Sequence, residues 1–198
     1  MEFEAFNKIP RLSREIVITE KIDGTNAQVA IFNVAALERG DLNTPYISTT
    51  IEGVDWAVFV GSRTIWLTER TDNKGFFAWV YSHVNELVEG LGEGRHYGEW
   101  WGQGIGRNYG LKEKRFSLFN TSRWTENRPA CCHVVPELYR GDFTTEAIST
   151  QIERLRTLGS VVAPGFMNPE GVVIFHTAGN LMFKKTLEND ESPKSLVK

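Results

Sequence analysis

Lys21 is the residue of this chain best placed to act as a nucleophile. It sits in Glu20-Lys21-Ile22-Asp23-Gly24-Thr25-Asn26, where an alternating apolar run with Ile16 and Ile18 gives way to the turn-forming pair Asp23-Gly24. Alternation marks a half-buried strand, so the amine is expected at the mouth of a sheet. An amine attacks phosphorus only when deprotonated, and an ordinary lysine, with a pKa of about 10.4, is almost wholly protonated at neutral pH. Partial burial or neighbouring cations would have to favour the neutral amine. A surface lysine leading into a hairpin has the same local signature, so the choice rests on partners elsewhere in the chain.

The elements that must position this lysine follow from periodicity and turn residues. Glu15 to Lys21 and Asn26 to Asn33 read as two strands of a hairpin around Asp23-Gly24. Residues 35–53, with Gly40, Asp41, Asn43 and Pro45, read as a loop, and strand character returns from Val54 to Leu67 with a break at Gly61-Ser62-Arg63. Asp72 is expected to cap a helix running to about Leu91, its apolar stripe spaced by three and four residues. Arg95 to Trp101, Phe116 to Phe119 and Cys131 to Val135 read as strands. Thr144 or Thr145 caps a second helix through Leu158, which Gly159 closes. A final hairpin runs from Glu170-Gly171-Val172-Val173-Ile174 through Ala178-Gly179-Asn180 to Lys184-Lys185. The glycines at 102, 104 and 106 imitate a dinucleotide fingerprint, but Arg107-Asn108-Tyr109-Gly110 is a poor start for the helix which that fingerprint requires.

Composition narrows the field. The chain of 198 residues carries a formal net charge of −3, so any contact with nucleic acid must come from a local basic strip. Arg107, Lys112, Lys114 and Arg115 form one such strip, equally readable as a solvated loop. Cys131 and Cys132 are adjacent and lack the spaced partners of a zinc site, so they read as reduced strand residues. With no apolar run near the roughly 18 residues that span a bilayer, and no basic-then-apolar leader, a cytoplasmic protein without a membrane partner is expected.

In this order the fragments resemble the covalent nucleotidyltransferase superfamily of polynucleotide ligases and capping enzymes, and most closely its RNA ligase 2-like phage RNA ligases. The resemblance spans about residues 15 to 187. Lys21-Ile22-Asp23-Gly24 is similar to the nucleophile motif, Ser62-Arg63 to the next, and Tyr97-Gly98-Glu99 to the third, with Phe116-Ser117-Leu118-Phe119 as its aromatic companion. Glu170-Gly171-Val172-Val173-Ile174 and Lys184-Lys185 are similar to the last two. Asn26 resembles the RNA ligase 2-like enzymes where DNA ligases and capping enzymes place arginine, and Glu20 is also similar to that group.

The resemblance implies an α+β nucleotidyltransferase fold with antiparallel sheets flanked by helices around a nucleotide pocket. It implies an adenylylating domain over residues 1–187, followed by a charged tail at 188–198. The implied activity is ATP-dependent sealing of RNA 5′-phosphate and 3′-hydroxyl ends, in nicked duplex or single strand, through lysyl-AMP on Lys21 and an adenylylated RNA end. Lys184 and Lys185 would neutralise phosphate charge together with Mg²⁺ or Mn²⁺. Glu170 would hold the metal, and Glu99 the ribose or metal-bound water. Phe119 would stack on adenine and Glu20 read its amino edge, while Arg63 meets phosphate or ribose and Asn26 the nucleic-acid end. Asp23 would orient Lys21 through the turn. Arg107, Lys112 and Lys114 would add phosphate contacts.

Two departures stand out. The family generally separates the lysines of the last motif by one residue, whereas Lys184 and Lys185 are adjacent and on a strand point to opposite faces. Lys184 is the preferred candidate, with a bulge needed to bring in Lys185. The sequence also stops soon after that motif, where related ligases continue into a domain that grips nucleic acid, so a minimal ligase or an accessory partner is expected. The rival readings are sealing of nicked DNA, which Asn26 disfavours, guanylate transfer, and a non-catalytic nucleotide-binding module, which would not need Lys21.

Overall fold

The computed structural model of this chain describes residues 2–190. In chain order these form β1 (Glu15–Lys21), β2 (Thr25–Asn33), β3 (Ile47–Ile51), β4 (Val54–Gly61), α1 (Phe76–Ser82), α2 (Val84–Leu91), β5 (Gly94–Gly102), β6 (Lys114–Leu118), β7 (Cys132–Val134), β8 (Glu137–Asp142), α3 (Thr145–Leu158), β9 (Gly171–His176) and β10 (Leu181–Thr186). The chain divides into two compact units, one from residues 1–21 and 136–198, the other from 22–135. Of the expected tail, residues 191–198 lie outside those described. Among the described residues no helix is long and apolar enough to cross a membrane.

The first unit is an antiparallel four-stranded sheet in the order β10-β9-β1-β8, with α3 as its helix. Alternation along β1 and β9 turns Ile16, Ile18, Val172 and Ile174 to one face, where they pack with Ile152 and Leu155 of α3. Burial of such side chains contributes about 1.5–3 kcal/mol each. The helix begins as expected, with the Thr144 hydroxyl accepting the Ala147 N–H, and it ends at Gly159.

The second unit is a six-stranded sheet in the order β3-β4-β2-β5-β6-β7, antiparallel except for the parallel pair β6 and β7. Val29, Ile31, Val58, Val60, Trp100 and Phe116 on one face join Phe76, Val80, Leu87 and Leu91 of α1 and α2 in the main core. The opposite face carries a smaller cluster around Ala30, Ala57 and Phe59, flanked by Phe32, Tyr46 and Trp66.

Three expectations are corrected. β1 and β2 are not a hairpin. β1 has both edges occupied, by β8 and β9, while β2 lies between β4 and β5 of the other sheet. The helix over 72–91 is two helices, because His83 leaves helical geometry (φ −116°, ψ 15°) and its ring bonds the Trp79 carbonyl. Asp72 still serves the first helix, accepting N–H bonds from Phe77 and Ala78, although helical geometry begins only after Gly75. Residues 35–53 are not all loop, since β3 pairs with β4 across a two-residue turn at Glu52-Gly53 with both φ positive. That is the turn geometry which matches strand twist. The strand β8 was also not foreseen; it is half-polar and finds its place only by pairing with β1.

Candidate functional site

In the first unit Lys21 ends β1, paired with Gly171 of β9. Its Nζ donates to Glu170 Oε2 at 2.6 Å, with the lysine side chain 21% exposed and the glutamate 2%. Lys21 is thus partly buried, and a carboxylate is its immediate neighbour. Lys184 pairs with Val173 and Lys185 with Val172, in a register that runs without a bulge to Thr186 opposite Gly171. Alternation then places Lys184 on the face of Lys21, and Lys185 on the face of Glu20 and Val172. Lys185 instead pairs with Asp190 at 3.3 Å.

Glu20 points away from Lys21 and is 1% exposed. Its Oε1 accepts from the Ser160 hydroxyl at 2.6 Å, and its Oε2 accepts the N–H groups of Val161 at 2.8 Å and Val162 at 3.0 Å. Burial lifts this carboxyl above its usual range, against the opposing pull of those three donors. Glu20 thus pins the loop after α3, a role that no local signal announced.

In the second unit Asn26, Arg63 and Glu99 form a connected set. Asn26 stands opposite Glu99 in the β2–β5 ladder and donates to its Oε2 at 3.4 Å, while the Arg63 Nε donates to Asn26 Oδ1 at 2.8 Å. Glu99 Oε1 also accepts the Gly24 N–H at 3.1 Å. A Cβ at position 24 would lie 2.5 Å from the Trp100 carbonyl oxygen and 2.7 Å from Trp101 Cβ, so only glycine lets the turn lie this close to β5. Phe119 continues β6 on the Glu99 face, its N–H bonded to the Tyr97 carbonyl.

The glycine-rich stretch after β5 leads into no helix, and it holds Asp23. The Asp23 N–H donates to the Tyr109 hydroxyl at 2.8 Å, and Arg107 lies 3.6 Å from the Asp23 carboxylate. Tyr109 was not foreseen as a site residue, because nothing near it in sequence points to position 23. Of the basic strip, Arg107 is engaged in this way, Lys114 donates to the Lys74 carbonyl at 2.7 Å, and Arg115 pairs with Glu113. Lys112 is exposed.

The RNA ligase family profile matches residues 14–186. A search of curated proteins returns no match to this chain. Solved structures of Naegleria gruberi RNA ligase are similar in fold. One mutant with ATP and Mn has a TM-score of 0.54 at 17% identity, covering 89% of this chain and 51% of that one. A second mutant with ATP and Mn gives 0.53 at 17%, covering 91% and 52%. A mutant of RNA ligase R4a without ligand gives 0.52 at 19%, covering 88% and 50%. The chain therefore spans about half the length of the structures it matches. These neighbours share the nucleotidyltransferase fold. With the profile reaching from the start of β1 to the end of β10, and so across every strand that carries the residues above, the chain belongs to the RNA ligase family.

Proposed function

We propose that this chain seals RNA 5′-phosphate and 3′-hydroxyl ends with ATP through a lysyl-AMP intermediate on Lys21. The observation that carries the reading is the 2.6 Å contact of Lys21 Nζ with Glu170 Oε2, between two residues 149 apart in sequence. A lysine with a buried acid at its amine and a second lysine, Lys184, on the same sheet face suits attack on a phosphate. The amine forms a P–N bond to the α-phosphorus while the P–O bond to pyrophosphate breaks. An RNA 5′-phosphate then takes the AMP from nitrogen, and a 3′-hydroxyl expels AMP as the phosphodiester closes. Splitting one condensation this way is what nucleophilic catalysis provides.

In the proposed arrangement Lys184 neutralises charge on the phosphate oxygens, Phe119 stacks on adenine, Glu99 takes ribose hydroxyls, and Arg63 and Asn26 meet phosphate. The Naegleria structures include separate substitutions of a lysine and an aspartate spaced as Lys21 and Asp23 are. They also include a glutamate and a lysine spaced as Glu170 and Lys184 are. That spacing favours Lys184 over Lys185.

Among the described residues no three His, Cys, Asp or Glu side chains converge to hold a metal ion. Magnesium is usually bound by one or two carboxylates plus substrate phosphates and water rather than by a protein cage. Glu170 is the carboxylate assigned to it, with Glu99 assisting through water. When bound, the ion supplies positive charge against the phosphate oxygens.

Incubation with labelled ATP and a divalent ion, followed by denaturing electrophoresis and mass analysis, tests the reading. One AMP is expected on the wild type and none on Lys21→Ala or Lys21→Arg, whose guanidinium keeps its proton and offers no lone pair. A labelled Lys21→Ala protein overturns the assignment.

A further inference from the structure

We propose that the face of the six-stranded sheet carrying Gln28, Arg95 and Tyr97 docks single-stranded RNA, with one unstacked base on the Tyr97 ring beside the Gln28 amide. The proposal rests on the reading of the chain as an RNA ligase and concerns the rows of the sheet face next to Asn26, Arg63 and Glu99.

Gln28 lies two residues beyond Asn26 on β2, opposite Gly61 of β4 on one side and Tyr97 of β5 on the other. Its Oε1 is buried and has no hydrogen-bond partner among the described residues. A buried amide oxygen left unpaired costs free energy, which an incoming donor recovers. Position 61 is clear of side chain for this amide. A Cβ there would lie 2.7 Å from both Cγ and Nε2 of Gln28.

Tyr97 is 53% exposed although it sits in the middle of a strand. Two residues along the same face, the Arg95 guanidinium lies 5.6 Å from the Phe32 ring centre and 5.5 Å from that of Trp66. Arg63, two residues beyond β4, donates through its Nε to Asn26. Neither arginine pairs with a carboxylate among the described residues, and Glu99 on this face accepts from Gly24 and Asn26.

An exposed aromatic ring on a sheet face with two guanidinium groups that no carboxylate neutralises among the described residues matches single-stranded RNA. Bases stack on the ring, and phosphates meet the cations. An amide offers one donor and one acceptor, the pairing that every base edge displays, so the contact tolerates sequence. Duplex RNA cannot use it, because its bases are already stacked and paired.

Fluorescence anisotropy with a short fluorescein-labelled single-stranded RNA, in the absence of ATP, is the test. Tyr97→Ala and Tyr97→Leu should each weaken binding about fivefold to a hundredfold, the range that loss of one base stack gives. Tyr97→Phe, which keeps the ring, should bind as the wild type does. Gln28→Leu should weaken binding while raising the melting temperature, the reverse of a merely structural loss. Arg95→Ala should lower the slope of log affinity against log salt by about 0.7. Wild-type affinity in Tyr97→Leu, or equal losses on single-stranded and blunt duplex RNA, overturns the proposal. Because no ATP is present, an absence of lysyl-AMP in the separate labelling assay leaves this measurement intact.

Discussion

Glu99 stands directly opposite Asn26 in the β2–β5 ladder, and its two oxygens divide their work: Oε1 takes the Gly24 N–H and Oε2 the Asn26 amide. One buried carboxylate therefore ties the turn after Lys21 to the asparagine that Arg63 reaches. Glu99→Ala leaves both donors without this acceptor, and a loss of about 1–3 kcal/mol is expected. Glu99→Gln keeps one carbonyl oxygen and should lose less. Urea denaturation of the three proteins measures the difference, and equal midpoints for wild type and Glu99→Ala contradict the assignment.

Glu20 predicts a pH dependence. Burial raises its carboxyl above the ordinary 4.5. A carboxyl raised on folding binds its proton more tightly in the folded state, so its contribution is fully present below the ordinary value and is lost as pH rises through the raised one. In Glu20→Gln that term is absent, while the amide oxygen still accepts from Val161 and Val162. The stability of wild type minus that of Glu20→Gln should fall as pH rises from below the ordinary 4.5 through the raised value. A pH-independent difference in urea midpoints means that Glu20 titrates normally.

Glu170 is expected to be needed for the first phosphoryl transfer. Glu170→Ala should slow AMP transfer to Lys21 by about a hundredfold or more, even at saturating ATP, and chelation of divalent ions in the wild type should stop it. Undiminished labelling in EDTA removes the metal from the mechanism.

The basic strip makes the last prediction. Arg107 is drawn to Asp23, Lys114 to the Lys74 carbonyl and Arg115 to Glu113, so few of its cations are held ready for phosphate. Phosphate contacts weaken steeply with salt. Sealing of 5′-phosphorylated RNA should therefore collapse at a salt concentration where labelling of Lys21 persists. A parallel decline of both reactions on one preparation rules out weak RNA grip as the limit.

Much of this molecule is written in short-range signals. Periodicity, a capping threonine and a closing glycine suffice for β1, α3 and the β9–β10 hairpin, because strand alternation and helix caps act over a few residues. The same alternation says that Lys184 and Lys185 must face opposite ways. Only the register against β9 and β1 decides that Lys184 shares the face of Lys21, since pairing is a property of three strands distant in sequence. Tertiary packing also decides that β1 and β2 part company, because β8 and β9 fill both edges of β1 and leave no ladder for a hairpin partner. The carboxylate at the amine of Lys21 comes from a residue 149 positions away, and the glycine at 24 is demanded by the backbone of β5. Sequence alone identifies the chemical groups; which of them meet is set by strand order and close approach, interactions that no local window contains.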